Sequence, residues 1–536
     1  MPHPVNRNDP LRTARQAQRR WMILIAVMLA FLPVVLDMTI LHIAVPSLTL
    51  ALQASSTQVL WIIDIYSLLM AGLLVPTGTL ADRIGNRKLL LMGLGIFTIA
   101  SVAAAFSVTP AMLIAGRILL AFGASMIMPC VLGIIRRTFE DPGERALALG
   151  LWGTVGAAGA AVGPLVGGAL LEHFWWGSVF LINVPVMLII LPIIVFALPQ
   201  TETLTPGAWL FSHALLLIVG IFGVVFAIKS GFGGKQPLWL AGFSLVAGLT
   251  ALAVFVRKQL TMREPMLDLS LFARPAILAG IAMAVVASGA LAGVELTLAQ
   301  ELQFVLDKTP LQAGLFMLPI MVAAAVGGPI AGYLSNKFGL RVVASLSMPT
   351  SAICLGLLAQ ADFQAPGTMT SALLALLGLA LSIGLTASSI ASMGSVEAGK
   401  GSAAGSLEAT AYELGAGLGI TLFGVALSAT YAASVVVPSG IAAELAQQAA
   451  HSIGDTHVVA QMLGSEQAAE LIAAGKAAFS GAHAFLLTAA AFSIGVLAVA
   501  SIGVLAVAVF LVLKGPDGDG RPRSWWNAHG NGGSEP

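Results

Sequence analysis

The chain has 536 residues, of which 58% are hydrophobic and only 10% are charged, and its formal net charge is +1. No soluble globular protein of this size has such a composition, so the sequence predicts a polytopic membrane protein. The two cysteines, Cys130 and Cys354, both lie in apolar runs, which argues against a disulfide framework and against a metal site. The basic N-terminal segment leads directly into an apolar span with no cleavage pattern, so no signal peptide is expected.

Apolar segments long enough to cross a membrane recur along the chain. A transmembrane helix needs roughly 20 mainly apolar residues. Fourteen segments meet this requirement: 22–45, 57–80, 88–107, 110–135, 145–171, 178–198, 208–229, 237–256, 276–300, 311–334, 342–361, 368–393, 402–431 and 482–513. The sequence therefore predicts an all-α protein with 14 spans.

The distribution of basic residues gives an independent test of this count, because cytoplasmic loops are enriched in Lys and Arg. With the N-terminus placed in the cytoplasm, all but five of the 26 Lys and Arg residues fall in cytoplasmic segments. The exceptions are Arg117 within a span and, on the outer side, Lys229, Lys235, Lys308 and Lys476. An error of one span would destroy this pattern, so both termini are predicted to be cytoplasmic.

The chain also contains an internal repeat. The segment 78–87, which follows the second span, is echoed by 332–341 after the tenth span, and both spans run from outside to inside. Two bundles of like orientation are therefore expected, which is a transporter architecture. The predicted organisation is a cytoplasmic tail at 1–20, an N-terminal six-helix bundle at 21–198, a linker with two extra spans at 199–273, a C-terminal six-helix bundle at 274–513 and a cytoplasmic tail at 514–536.

Two segments of the C-terminal half are unusual. The outer connection 433–481 is long and Ala-rich, and its pattern is that of one or two amphipathic helices at the outer face, either an external cap or a passive loop. The last span carries the octad 493–500 duplicated perfectly at 501–508. At 1.5 Å per residue this span is about 48 Å long, so we expect it to tilt or to protrude from the membrane.

Five carboxylates lie inside the predicted spans: Asp37, Asp64, Glu295, Glu408 and Glu413. Opposite them, the predicted spans place a single buried base, Arg117. A charged side chain near the centre of a bilayer is costly, so it normally faces the protein interior or a water-filled cavity. A surplus of buried acids suits two tasks, the carriage of protons and the attraction of cations.

The cytoplasmic loop after the second span combines glycines with an acid and several bases. Asp82, Arg83 and Arg87 can pair with each other or with a helix terminus of the opposite bundle, and so hold one face closed. The loop matches the signature between the second and third helices of the major facilitator superfamily, and the chain resembles the 14-span drug:proton antiporters of that superfamily. The resemblance implies a gating latch, with which Arg117, at a basic position typical of the family, is grouped; Arg117 could also pair with one of the buried acids. The alternative interpretation, the general enrichment of bases in cytoplasmic loops, explains Arg83 and Arg87 but not Asp82.

The fifth span contains a glycine-rich motif formed by Gly159, Gly163, Pro164, Gly167 and Gly168. It resembles the antiporter motif of the family, which occurs in exporters and is largely missing from uptake symporters. Small residues allow close helix packing, and the proline permits a bend. An ordinary helix crossing is the alternative interpretation.

The resemblance also assigns roles to the acids. Asp37 and Glu413 are predicted to couple protons, because their spans correspond to helices that line the cavity in this fold. Glu408 lies five residues before Glu413 and points about 140° away from it, so both cannot face one narrow pocket.

Asp64 and Glu295 are predicted to attract cations near the outer mouth. Trp61 shares a helix face with Asp64 and could cradle a lipophilic cation. Its alternative is an ordinary position in the aromatic belt of the membrane interface.

These features predict a bacterial inner-membrane, proton-coupled exporter, and the resemblance is closest to quaternary-ammonium and methyl-viologen efflux pumps. Lipophilic cations, protons and the lipid bilayer are the expected partners, with no cofactor, no metal and no nucleic acid, and the protein is expected to be a monomer. Export of a neutral or endogenous metabolite is the alternative. An uptake symporter is less favoured because polar residues are scarce at mid-span. No nucleotide-binding or hydrolase motif supports an enzyme.

Overall fold

In the computed structural model of the chain, residues 10–139, 141–198, 211–232, 237–262, 265, 267, 269–364, 367–394 and 401–513 are described. Within these ranges the regular structure is entirely helical. The helices are α1 (Pro10–Leu52), α2 (Ser56–Ile84), α3 (Asn86–Ala105), α4 (Pro110–Thr138), α5 (Pro142–His173), α6 (Ser178–Leu181), α7 (Asn183–Ala197), α8 (Phe211–Phe232), α9 (Leu238–Thr261), α10 (Pro275–Gln300), α11 (Pro310–Phe338), α12 (Leu340–Leu358), α13 (Thr368–Gly394), α14 (Gly401–Ser434), α15 (Ala443–Ala449), α16 (Ile453–Ala460) and α17 (Ser465–Leu513). A 3-10 segment spans Leu269–Ala273, and a π-helical segment spans Glu301–Val305.

Fourteen stretches of the described chain are long and apolar enough to cross a membrane, as predicted. Helices α6 and α7 together form the sixth span, and α10 with the π-helical segment forms the ninth. Several spans contain proline, for example Pro33 in α1 and Pro164 in α5. Membrane helices tolerate such residues because neighbouring helices compensate for the lost backbone hydrogen bond. Below, inner and outer refer to the orientation predicted from the basic residues.

The spans form two bundles, α1–α7 and α10–α14 with α17. The bundles meet along two pairs of helices, α2 with α14 and α5 with α11. The extra pair, α8 and α9, packs on itself, and α8 also packs against α2 and α14. The accessory helix α8 therefore contacts both bundles at one side of their interface. The predicted linker 199–210 and the terminal segments 1–9 and 514–536 lie outside the described residues.

The sequence repeat has a structural counterpart at the inner face. Helix α2 ends at Gly85 with φ 97°, and α11 ends at Gly339 with φ 87°. In both places the next helix begins at the following residue, which requires an abrupt change of direction. Positive φ values favour glycine because it has no Cβ. The same turn thus connects the corresponding helices of the two bundles.

The outer connection is shorter than predicted. It contains α15 and α16, but α17 begins at Ser465, with Glu466 in its first turn, so residues 465–481 already belong to the last membrane helix. An acidic residue in the first turn stabilises a helix start through the helix dipole. The α17 helix has 49 residues and is about 74 Å long at 1.5 Å per residue. The side chains of the second octad lie outside the described positions.

Helix α16 docks on the outer ends of both bundles. The hydroxyl of Thr456 bonds that of Tyr431 in α14. Gly454 faces the Thr49 side chain at the outer end of α1 and the ring of Phe304 in the π-helical segment. The predicted amphipathic helices are therefore packed against the protein at this face.

Candidate functional site

A small cavity lies between the two bundles in the outer half of the membrane region. It has a volume of about 40 Å³, measured as the space open to the centre of a water molecule. Its walls come from α1, α2 and α4 on one side and from α10 and α14 on the other: Met38, Thr39, His42, Ile63, Tyr66, Ser67, Arg117, Ser288, Leu291, Ala292, Glu295, Tyr412, Ala416 and Ile420. This volume holds a few water molecules, whereas drug-sized ligands need pockets of about 300–1,000 Å³. Binding of such a ligand requires the bundles to separate.

Asp37 forms a buried ion pair with Arg117 at the N-terminal wall of this cavity. The two side chains are each 1% exposed. The guanidinium of Arg117 also donates from Nε to the carbonyl of Ile62 at 3.1 Å, and its Cζ lies 4.4 Å from the centre of the Tyr66 ring. Arg117 is therefore paired with one of the buried acids, the other partner predicted for it, whereas its grouping with the latch residue Asp82 stays a prediction. Its position in the first third of α4, toward the outer end, puts it beside an acid of α1.

Glu413 lies on the opposite side and has a different environment. Its carboxylate is buried, and the Ser67 hydroxyl of α2 donates a hydrogen bond to it. One oxygen, Oε2, has no hydrogen-bond partner. Among the described residues no ion pair involves this carboxylate. It is thus a buried acid without a protein cation.

Glu295 extends from α10 toward α1. Its Oε2 lies 3.3 Å from Nδ1 of His42, which is within the distance of an ion pair although the atoms are not aligned as a hydrogen bond. Both residues are buried and line the cavity.

Asp64 and Trp61 do not line the central cavity. They face the accessory helix α8, where Lys229 contacts both: its Nζ lies 2.7 Å from Asp64 Oδ2 and 3.6 Å from the centre of the Trp61 ring. Lys229 was predicted at the outer end of the seventh span, with no acid assigned to it, and the structure pairs it with Asp64. The helix α8 continues to Phe232, which places Lys229 within its last buried turn.

Glu408 is separate from the cavity as well. It is half-buried and accepts a hydrogen bond from Ser389 of α13. Of the five acids, Glu295 lines the cavity, and Asp37 and Glu413 lie beside the lining residues Arg117 and Ser67.

Comparison with known proteins shows the family to which the chain belongs. A sequence profile of the Major Facilitator Superfamily matches residues 27–420. The chain belongs to the major facilitator superfamily. Proteins of this superfamily are transporters, so this facilitator is a transporter and not an enzyme. With its fourteen spans and bacterial relatives, it is a multi-pass protein of the bacterial inner membrane.

The chain aligns with two curated relatives over nearly the whole length of each. The facilitator is 44% identical over 481 residues to the methyl viologen resistance protein SmvA of Salmonella typhimurium, covering 90% of this chain and 97% of SmvA. It is 36% identical over 496 residues to the multidrug efflux pump LfrA of Mycolicibacterium smegmatis, with the same coverage of 90% and 97%.

Among solved structures, a bacterial homologue of the human lysosomal transporter Spinster, in an inward-facing and unoccupied conformation, has a similar fold. The TM-score is 0.62 at 17% identity, with 90% of this chain and 97% of that chain covered. At this level of identity the likeness shows the fold alone.

The predicted latch residues of the facilitator make contacts within the N-terminal bundle. Asp82 Oδ1 lies 3.5 Å from Nη2 of Arg137 in α4, and both side chains are largely exposed. Arg87 donates to the carbonyl of Val195 near the end of α7 at 2.9 Å. Arg83 is half-buried next to Asp82. These contacts tie α2, α3, α4 and α7 together at the inner face of one bundle, so a role in gating stays a prediction.

The antiporter motif uses two faces of α5. Gly159, Gly163 and Gly167 are spaced four residues apart and face α1; a Cβ on Gly167 would lie 3.0 Å from Cγ2 of Ile40. Gly168 faces the opposite bundle instead, where a Cβ would lie 2.7 Å from the Cα of Leu311 in α11. Glycine is needed here because no side chain fits between the two backbones. The motif therefore supports both packing inside a bundle and contact between the bundles.

Several residues that line the cavity were not predicted from the sequence. Tyr66 and Tyr412 are the clearest examples, because the whole chain has only four tyrosines and these two face the same cavity from opposite bundles. A rare polar aromatic inside a membrane span was a signal that could have identified them. His42 was visible only as a polar residue within the first span. Ser67 and Ser288 carried no signal, since serine is common in membrane helices.

Proposed function

We propose that this facilitator is a proton-coupled efflux antiporter that exports lipophilic cations by alternating access. The single observation that carries the proposal is the environment of Glu413. A buried carboxylate without a protein cation is costly when charged, and it is most easily satisfied by a proton or by a cationic ligand. If proton and drug compete for one site, a single group there must be able to bind either of them.

The relatives support the direction of transport and the class of substrate. SmvA is named for resistance to methyl viologen, an organic dication, and LfrA is named as a multidrug efflux pump. The cavity is lined by Glu295, with Asp37 and Glu413 next to its walls, and the lining residue Arg117 is paired with Asp37; this balance of charge suits a cation better than an anion. The apolar lining, which includes Ile63, Leu291 and Ile420, suits a lipophilic one.

The cycle follows from charge exchange at the acids. A cation enters from the cytoplasm and binds next to ionised Glu413 and Glu295. Rocking of the bundles exposes the site to the outside, where protons neutralise the acids and release the cation. Loss of the protons to the cytoplasm recharges the site. The proton gradient supplies the energy, and each net charge that the cycle moves across the membrane is worth about 2.3 kcal/mol per 100 mV.

The bundles are joined at the outer half in the present arrangement. Asp64 of α2 accepts a hydrogen bond from Thr421 of α14 at 2.6 Å, and Gln303 donates to the carbonyl of Ile43 at 3.0 Å. Release to the outside requires these contacts to break. Asp82, Arg83 and Arg87 are proposed to govern the opposite, cytoplasmic opening, and the protein is proposed to work as a monomer without a cofactor.

The proposal is tested by drug susceptibility in a host that lacks its own efflux pumps. Wild type is compared with Asp37→Asn and Glu413→Gln, using a cationic quaternary ammonium biocide and a neutral antibiotic. We expect Glu413→Gln to lower the protective dose of the biocide at least about tenfold, the equivalent of ~1.4 kcal/mol. The exposed Glu444→Gln, on the outer connection, is the matched control. Full protection by both neutralised variants would overturn the coupling role, and protection by wild type against the neutral drug alone would overturn the substrate class.

A further inference from the structure

Lys229 contacts a buried carboxylate and the face of a tryptophan at the same time. Its ammonium lies 2.9 Å from Oδ1 and 2.7 Å from Oδ2 of Asp64, so it contacts both carboxylate oxygens. The Lys229 side chain is 3% exposed and that of Asp64 is 0% exposed. The same ammonium lies 3.6 Å from the centre of the Trp61 ring. A carboxylate next to the face of a tryptophan is the combination that recognises alkylammonium groups.

Three separate helices build this site. Trp61 and Asp64 come from α2, Lys229 from the accessory helix α8, and Thr421, whose hydroxyl donates to Asp64 Oδ2 at 2.6 Å, from α14 of the opposite bundle. The Trp61 ring is held by a stacked contact with Phe222 of α8 at 6.2 Å. We call Trp61, Asp64 and Thr421 the lateral cradle. It lies in the outer half, apart from the residues that line the central cavity.

A purely structural ion pair explains this arrangement poorly. Helix α8 is already attached to the bundles by apolar contacts, in which Leu68 and Ala71 of α2 pack on Ile221 and Val225 of α8. Burying an ammonium and a carboxylate costs several kcal/mol per ion, and an apolar pair of similar volume is often as stable. The lysine therefore adds cost without being needed as an anchor. Its position is better explained by exchange with another cation.

We propose that Lys229 is a tethered, substrate-like cation that occupies an exit subsite, the lateral cradle, and is displaced from it by the exported lipophilic cation. The inference rests on the function proposed above. When the bundles separate at the outer half, Thr421 leaves Asp64 and makes room beside the Trp61 ring. The outgoing cation then binds Asp64 in place of the ammonium. On closure Lys229 returns and expels the cation to the outside, which makes the accessory helices part of the transport cycle.

The test uses tetraphenylphosphonium as the probe and the full-length purified protein. Its affinity is measured for wild type, Lys229→Met, and the double variant Asp64→Asn with Lys229→Met. The control is Lys476→Met, which removes an ammonium paired with Asp307 at the outer surface. We expect Lys229→Met to bind the probe at least about tenfold more tightly, which corresponds to ~1.4 kcal/mol, and to export it more slowly because release is impaired. The double variant should return to the wild-type affinity. An unchanged or weaker affinity of Lys229→Met overturns the inference.

A second measurement needs no substitution and so does not depend on the folding of a variant. Lys229 in wild type is labelled with an amine-reactive reagent, and its modification is read by mass spectrometry with Lys476 as the internal reference. We expect the probe to increase labelling of Lys229 at least about threefold, as displacement exposes the ammonium. Labelling that is unchanged or reduced by the probe overturns the inference.

The outcomes also separate this inference from the function itself. Export of the probe by wild type, with no gain of affinity in Lys229→Met, overturns the tethered cation and leaves the proposed function intact. Failure of wild type to export the probe counts against the proposed function, and a gain of affinity in Lys229→Met would still support the cradle as a cation site. A fall in thermal stability of Lys229→Met that the double variant restores, without any gain of affinity, assigns the pair a structural role and overturns the inference.

Discussion

Glu413 and Ser67 lie on opposite bundles, and the Ser67 hydroxyl donates a hydrogen bond to the Glu413 carboxylate across the interface. Glu413, the acid without a protein cation, thus also connects α14 to α2. A change of charge at Glu413 alters the strength of this contact, because hydrogen bonds to charged groups are stronger than those to neutral ones. Proton binding and the relative stability of the closed outer half are therefore linked through one side chain.

Ser67→Ala tests this link. Loss of a hydrogen bond to a charged acceptor costs about 1.5–3 kcal/mol, so the closed arrangement should lose stability relative to the open one. We expect spin labels at the outer ends of α2 and α14 to show a larger population of long distances. Ser125→Ala is the control, because its hydroxyl donates to Phe122 within one bundle. Equal distance distributions for Ser67→Ala and wild type would contradict the link.

Removal of only one partner of the ion pair between Arg117 and Asp37 is expected to destabilise the protein strongly. Arg117→Met leaves Asp37 buried without a counter-charge, which costs about 3–5 kcal/mol. We expect a large fall in the thermal midpoint in detergent, and a substantial recovery in the double variant Asp37→Asn with Arg117→Met. Arg117→Lys should also be destabilised, because lysine cannot reproduce both the Ile62 hydrogen bond and the stacking on Tyr66. A double variant as unstable as Arg117→Met would refute this account.

The contact between α5 and α11 is so close that no side chain should fit at Gly168 or Gly314. A Cβ on Gly168 would lie 2.8 Å from the Pro310 carbonyl, and one on Gly314 would lie 2.7 Å from the Pro164 carbonyl. Gly168→Ala and Gly314→Ala should each cost about 1–3 kcal/mol in the closed arrangement and reduce export. Gly95→Ala, whose Cβ would have no atom within 4 Å, is the matched control. Normal export by both interface variants would show that this contact does not matter.

The predicted gating role of the latch can be distinguished from a contribution to stability. The ion pair of Asp82 with Arg137 is exposed, and such pairs contribute about 0–1 kcal/mol, so Asp82→Asn should leave the thermal midpoint nearly unchanged. We nevertheless expect a clear fall in the export rate if the loop controls the cytoplasmic opening. Glu144→Gln breaks a comparable ion pair with Arg20 at the same face and serves as the control. Equal export rates for the two variants would remove the gating role.

The outer helix α16 should respond to acid through His457. Burial lowers the pKa of this imidazole below its usual value of 6.5, and the nearby Lys476 acts in the same direction while Asp307 opposes it. Since the folded state prefers the neutral ring, its docking against Phe304 is unaffected above pH 6.5 and is progressively weakened as the pH falls below that value.

We expect faster hydrogen exchange in residues 453–460 at pH 5 than at pH 7.5, after correction for the intrinsic pH dependence of exchange. His457→Gln should remove most of this difference, because glutamine carries no charge at either pH. The exposed His173→Gln, at the end of α5, provides a control. A pH response that persists in His457→Gln would assign it to another group.

Composition and charge pattern alone determined much of the architecture. The count of fourteen spans follows from the length of apolar segments, because the thickness of the bilayer sets a minimum helix length. The repeat predicted two related bundles, and Gly85 and Gly339 carry the same positive φ at its two copies. The five acids within the spans were also recognisable, since a charged residue in an apolar run is conspicuous whatever its neighbours.

Only the tertiary structure decided which of these acids are neutralised by the protein. Asp37 is separated from Arg117 by 80 residues and Asp64 from Lys229 by 165. Periodicity places a residue at a depth along its own helix, but the rotation of that helix and the identity of its neighbour depend on packing between distant segments. For this reason the sequence placed Lys229 only at the outer end of its span, and the structure alone sets it against Asp64. The same packing leaves Glu413 beside Ser67, without a cation, in the wall between the two bundles.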